Sequence, residues 1–166
     1  MTVLQLQKDL AEEIEKILAN MRFKDPAGKM APMRAYCQDI PKRRQTIRKG
    51  ALMPEEEETE EDPYPFCIVK AESGGMFSGA QSVSVMLILA VFNDEEQNQG
   101  QQELLNAMHK IAERFIRDPV LQGKHRLDQE AGIGWLLDDE DRYPYFAGGM
   151  TMKWETFFVE KEDRYV

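Results

Sequence analysis

The residues of this chain that could do chemistry are two histidines, two cysteines, a run of acidic side chains and two glycine pairs. His109 and His125 have no His-x-x-x-His or His-Glu pairing, the spacings that place two ligands on one metal. Both read as solvated or partly buried histidines. Cys37 and Cys67 stand far apart, outside any Cys-x-x-Cys spacing and each in an apolar, strand-like context, so both read as buried free thiols. As nucleophiles they lack an evident histidine partner, and there is no Gly-x-Ser-x-Gly elbow. Asp138-Asp139-Glu140-Asp141 could offer oxygens to a divalent cation, but neighbouring carboxylates on a turn point in different directions. Without the alternating ligands and central glycine of an EF-hand, the run reads as a solvated turn. Gly74-Gly75 and Gly148-Gly149 carry neither a phosphate-loop lysine nor a dinucleotide spacing. They fit a turn, a bulge or the close approach of another backbone. The expectation is a protein that is not an enzyme, with no catalytic residue, no cofactor and no metal.

Charge narrows the partners. The chain has 166 residues, with 30 Asp plus Glu against 21 Lys plus Arg and a formal charge of -9. That sign opposes tight binding along phosphate backbones, which depends on cationic contacts releasing counterions. The local exception is Lys42, Arg43, Arg44, Arg48 and Lys49, which has no interleaved aromatics for stacking on bases. It reads as a solvated loop or one that pairs across subunits, ahead of a DNA contact. The start, Met-Thr-Val-Leu-Gln-Leu-Gln-Lys, does not read as a signal peptide. The longest apolar run, Val83 to Phe92, is too short to cross a bilayer, so no membrane association is expected. The cysteine usage is compatible with a reducing cytoplasm.

The elements that would position these residues follow from periodicity. Leu10, Ile14, Ile17, Leu18 and Met21 make a helical stripe, with Lys8, Asp9, Glu12, Glu13, Glu15 and Lys16 on the other face, ending before Asp25-Pro26. A short strand is expected around Met33 to Gln38. From Pro41 to Pro65, a basic cluster followed by the acidic Glu55–Asp62 block predicts a charged exposed loop, because so few apolar residues cannot offset its ordering entropy. Phe66 to Val69 reads as a short strand, Ser73 to Gly79 as a glycine-rich turn, and Val83 to Phe92 as a strand buried at its centre on both faces. A second helix starts at Asn98 or Gln99, with Leu104, Leu105, Met108, Ile111, Ala112 and Phe115 as its stripe. Arg126-Leu127 is a weak strand start, Ile133 to Leu137 a short strand, and Met150 to Val159 the last one, with Met150, Met152, Trp154, Thr156 and Phe158 on one face. The expectation is one α+β domain over residues 1–166, with a mainly antiparallel sheet of about four to five strands packed on two principal helices.

Three stretches together resemble a known family. They are Asp62-Pro63-Tyr64-Pro65-Phe66-Cys67-Ile68-Val69, the Val83–Phe92 strand followed by Asn93-Asp94, and Arg142-Tyr143-Pro144-Tyr145-Phe146-Ala147-Gly148-Gly149-Met150 leading to Trp154. They resemble the small tail-completion, or tail terminator, proteins of long-tailed phages and prophages of Gram-positive bacteria. The resemblance runs from about Tyr64 onward and fits Leu10 to Pro41 loosely; the Lys42–Asp62 insertion departs from it. It implies an oligomeric ring, usually six-fold, that caps a finished tail tube, ends polymerisation of the tube protein and meets the head-side connector. DNA would pass through the lumen without specific binding. The setting would be the bacterial host cytoplasm during virion assembly, then the virion tail or neck. The family brings no catalytic residues. Arg43, Arg44 and Arg48 are candidates for subunit pairing, and Tyr143, Tyr145, Phe146 and Trp154 for apolar anchors of core or interface. A head-tail joining protein of the neck is the alternative, and a monomeric enzyme or binding module is a third reading.

Overall fold

A computed structural model describes residues 2–40, 63–97 and 99–157. The chain has mixed α/β content. The described residues form two helices, α1 (Val3–Ile17) and α2 (Gly100–Arg117), and nine strands: β1 (Phe23–Lys24), β2 (Met30–Ala31), β3 (Arg34–Cys37), β4 (Phe66–Phe77), β5 (Ala80–Phe92), β6 (Val120–Leu121), β7 (His125–Leu127), β8 (Gly134–Leu137) and β9 (Tyr145–Phe157). The Thr2 hydroxyl caps α1 by accepting from the Gln5 amide, filling one of the donors a helix start leaves over. β1 and β2 form a small hairpin of their own, closed by Asp25 bonding Lys29 through backbone and carboxylate and by Gly28 at positive φ.

The main sheet is larger than expected, and mixed. Its seven strands run β3-β4-β5-β9-β7-β6, with β8 also on β9. β3 lies parallel to β4, and every other pair is antiparallel. The parallel pair needs a long crossover, and the chain between Cys37 and Phe66 supplies it. Three long strands form the centre, and both helices cover one face of it. Leu6, Leu10, Ile14 and Leu18 of α1 and Leu104, Met108, Ile111 and Phe115 of α2 meet Cys67, Val69, Val83, Val85, Leu87, Leu89, Met150, Met152 and Trp154. At about 25 cal/mol per Å² of apolar surface, burying side chains of this size stabilises by about 1.5–3 kcal/mol each.

Three expectations are corrected. β5 is not buried on both faces: Val83, Val85, Leu87 and Leu89 are buried, while Ser84, Met86 and Ile88 between them are half-exposed, because helices cover only one side. Of the Ser73–Gly79 stretch expected as a turn, only Ser78-Gly79 turns, whereas Ser73 to Phe77 continue β4, which pairs with β5 up to Phe77 opposite Ala80. Glycine is needed at position 74 because a Cβ there would collide with the Ser82 carbonyl oxygen. Cys37 is exposed at the end of edge strand β3, whereas Cys67 is buried as expected. The charged Pro41–Pro65 loop lies largely outside the described residues, and Arg43, Arg44, Arg48 and Phe158 lie wholly outside them.

Candidate functional site

Among the described residues, Asp9, His125 and Thr156 have the look of nucleophilic catalysis. His125 sits on β7 rather than in a loop, and Asp9 on the buried face of α1 rather than its polar face. The Asp9 carboxylate lies 2.8 Å from His125 Nε2, and His125 Nδ1 lies 3.0 Å from the Thr156 hydroxyl. The other Asp9 oxygen accepts from the Gln5 amide nitrogen at 2.9 Å. The order acid, imidazole, hydroxyl is that of a triad. Yet Thr156 and His125 are buried, and none of the three lines either of the two open grooves described below. A hydroxyl that no substrate can reach has no reaction to start. The chain of bonds instead fastens α1 to β7 and β9, with each of these three buried side chains given a partner. His109 is exposed on α2.

The acidic turn is occupied by its own contacts. Asp138 accepts from the Glu140 amide and Asp141 from the Tyr143 amide, and Arg142 pairs with Glu140 at 2.6 Å and Asp138 at 3.4 Å. These pairs are exposed and hold the arginine charge strongly, raising its pKa through Glu140 first. Among the described residues no group of three or more His, Cys, Asp or Glu side chains converges on a metal position. The thiol chemistry is equally muted: burial pushes Cys67 up to about 12, and burial also raises Cys37, with Lys8 opposing it. Glu103 on α2 has one buried carboxylate oxygen without a partner, and desolvation raises its pKa.

The four candidate aromatics go to different places. Trp154 is fully buried and meets Phe115 edge-on at 5.1 Å, so it is core. Phe146 is half-buried against the core and fills the place a Cβ on Gly100 would need. Tyr145 joins Tyr64, Phe66 and Phe92 in a cluster on the face without helices, with ring centroids 4.8–5.5 Å apart. Tyr143 is exposed and donates its hydroxyl to the Asp94 carbonyl at 2.7 Å, beside the Lys24–Asp94 ion pair. Gly148 is the close approach foreseen for its glycine pair. A Cβ there would collide with Met108 and the Leu136 carbonyl, so α2 and β8 both depend on its absence.

Several large apolar side chains are exposed, Leu4 on α1 and Met30 on β2 among them, and two pairs of them stand at the two sides of the main sheet. The outer part of the β4–β5 hairpin, backed by β9, forms an arm carrying Met76 at 72% and Phe77 at 64% exposure, with Phe157 beside it. On the other side, β8 exposes Trp135 at 60% and Leu136 at 57%. An open groove of about 420 Å³ runs along the arm between Val3, Ala71, Gly74, Met76 and Val83. A second, of about 610 Å³, lies between α1 and β3, lined by Glu15, Arg22, Met33, Arg34 and Tyr36. Met76, Phe77, Leu136 and the exposed edges were not singled out by the sequence, where a glycine-rich run hid the arm. The one available signal was Met76-Phe77 standing apolar inside that run. Among the described residues no helix is long and apolar enough to cross a membrane. Compared with protein-family models and with curated protein sequences, the chain matches none.

Proposed function

We propose that this chain is a structural assembly protein of the tail terminator kind, working as a ring that caps a finished tail tube and meets the head-side connector. The observation that carries the reading is the placing of the exposed large apolar side chains. Met76 and Phe77 stand at one side of the sheet and Trp135 and Leu136 at the other. Surfaces of that kind belong to association rather than to catalysis. Two separate patches, one on each side, suit a head-to-tail contact that closes into a ring. The buried Asp9–His125–Thr156 chain supports the same reading, since it holds the sheet to α1 instead of facing a cavity. The net charge of -9 suits a lumen through which DNA moves without sticking.

The test is to mix the purified protein with tail tubes lacking a cap and, separately, with DNA-filled heads lacking tails. Binding at the tube end, seen by electron microscopy, with arrest of further tube growth, is the expected result. Binding at the portal vertex instead would make it a head-tail joining protein, and binding to neither would remove the reading.

A further inference from the structure

We infer that copies of this chain join by β-sheet extension, the outer edge of the β4 arm in one copy pairing antiparallel with the outer edge of β8 in the next. The inference rests on the proposed ring and specifies its contact. The outer edges of the sheet are covered selectively. At its base, β4 is covered by β3, which pairs with Phe66 to Val69, and Gln38 then satisfies both backbone groups of Ala71 through its side-chain amide. The outer edge of β3 is closed in turn by Glu15, whose carboxylate accepts from the Ala35 amide at 3.0 Å. Beyond the irregularity between Ala71 and Ser73 this cover stops. Among the described residues, nothing pairs with the outer edge of Ser73 to Phe77, although the inner edge stays in register with β5.

An unprotected edge of this kind normally carries a lysine, a proline or a cap. The arm from Ser73 to Phe77 carries none, and neither does the other edge, Gly134-Trp135-Leu136-Leu137. The two edges lie on opposite sides of one sheet, since β8 joins β9 while the arm is the β4 border. Direction is set by the topology. β4, β5, β9 and β8 are each antiparallel to the next, so β8 runs opposite to β4. A neighbour in the same orientation therefore presents its β8 antiparallel to this β4, the pairing that short strands form most readily. In that alignment the base of the arm, with exposed Lys70, faces the end of β8 that leads into Asp139, Glu140 and Asp141, all exposed. Cation meets acidic turn, while Met76 and Phe77 cover the apolar side chains of the partner edge. The contact is heterologous, so repetition closes into a ring or continues as a filament.

The experiment uses a Cys37→Ser background, in which the remaining cysteine is buried. Met76→Cys and Leu136→Cys are made separately and together; both positions are exposed, and neither change touches the core. After treatment with a short bis-maleimide, a mixture of the two single variants should yield a covalent dimer, and neither single variant alone should. The double variant should give a ladder of cross-linked species ending at the closed ring. Independently, Leu136→Lys should raise the concentration at half-assembly by about tenfold or more in light scattering, from lost apolar contact and a buried charge at the edge. A dimer formed by one variant alone would overturn the inference, because it demands an edge meeting its own copy. So would a protein that stays monomeric at every concentration and gives no cross-link. Cross-linking in a protein that ignores tail tubes would leave the sheet contact standing and remove the terminator reading. Capping of tubes without this cross-link on the tube would do the reverse.

Discussion

The base of β4 and its arm are one continuous strand treated in two ways. From Phe66 to Ala71, helices cover one face, β3 lies on the outer edge, and Gln7 and Gln38 reach in to bond the Val69 and Ala71 backbone. From Ser73 to Phe77, the strand keeps its partner β5 but is mostly exposed and, among the described residues, has no strand on its outer edge. The difference teaches where stability and association reside. Burial and capped backbone groups at the base hold the fold, and the arm contributes surface. Each prediction below presses on that division.

The largest effect belongs to the covered region. Trp154→Ala should cost about 3–5 kcal/mol in urea unfolding, since it opens a cavity beneath both helices. A loss below about 1 kcal/mol would mean that the helices do not hold the sheet. Next is the polar clamp: His125→Ala strands Asp9, a buried acid, and should cost about 2–4 kcal/mol. Asp9→Asn keeps the shape and a hydrogen-bonding group, so it should recover part of that loss. With Asp9→Asn added to His125→Ala, an equal loss in the single and double variants would show that His125 acts through packing alone. Gln38→Ala, at the border between the two regions, should cost about 1 kcal/mol, with the Ala71 amide exchanging faster in hydrogen exchange. Protection at Ala71 unchanged by that substitution would place the border elsewhere.

How much of this was legible in the sequence depends on the range of each interaction. The two helical stripes and the apolar strand at Val83 could be read because their partners in pattern lie three, four or two residues away. Asp9 was assigned to the solvent face because a charge between Lys8 and Leu10 carries no local sign of burial. Its partner His125 lies 116 positions along the chain. β3 was visible as a strand, but its parallel pairing with β4 was not, since a crossover leaves no periodicity to read. The arm was read as a turn because Gly74 and Gly75 are usually breakers. Here the backbone of Ser82 comes too close to Gly74 for any side chain, which is a demand of pairing rather than of turning. The one-sided burial of β5 was missed for a similar reason. An apolar run of Val, Leu and Ile looks the same whether helices cover one face or two. As for the site, Tyr143 to Trp154 drew attention as a group, and only the fold could separate core Trp154 from exposed Tyr143.

The smallest expected effect is the sharpest test of the division. Phe77 is an aromatic residue in a strand, as Trp154 is, and by residue type alone both would be assigned to a core. The arm exposes Phe77, so Phe77→Ser should alter unfolding free energy by less than about 0.5 kcal/mol, within the range of ordinary surface substitutions. The measurement should be made at low protein concentration, where any contact between copies is absent and only the single chain is weighed. A loss above about 1 kcal/mol under those conditions would mean that Phe77 packs within its own chain. The arm would then be part of the fold rather than a surface held out from it. A small loss at low concentration that grows as concentration rises would have the opposite meaning: the ring of Phe77 would be buried by association, since only a contact between copies follows mass action.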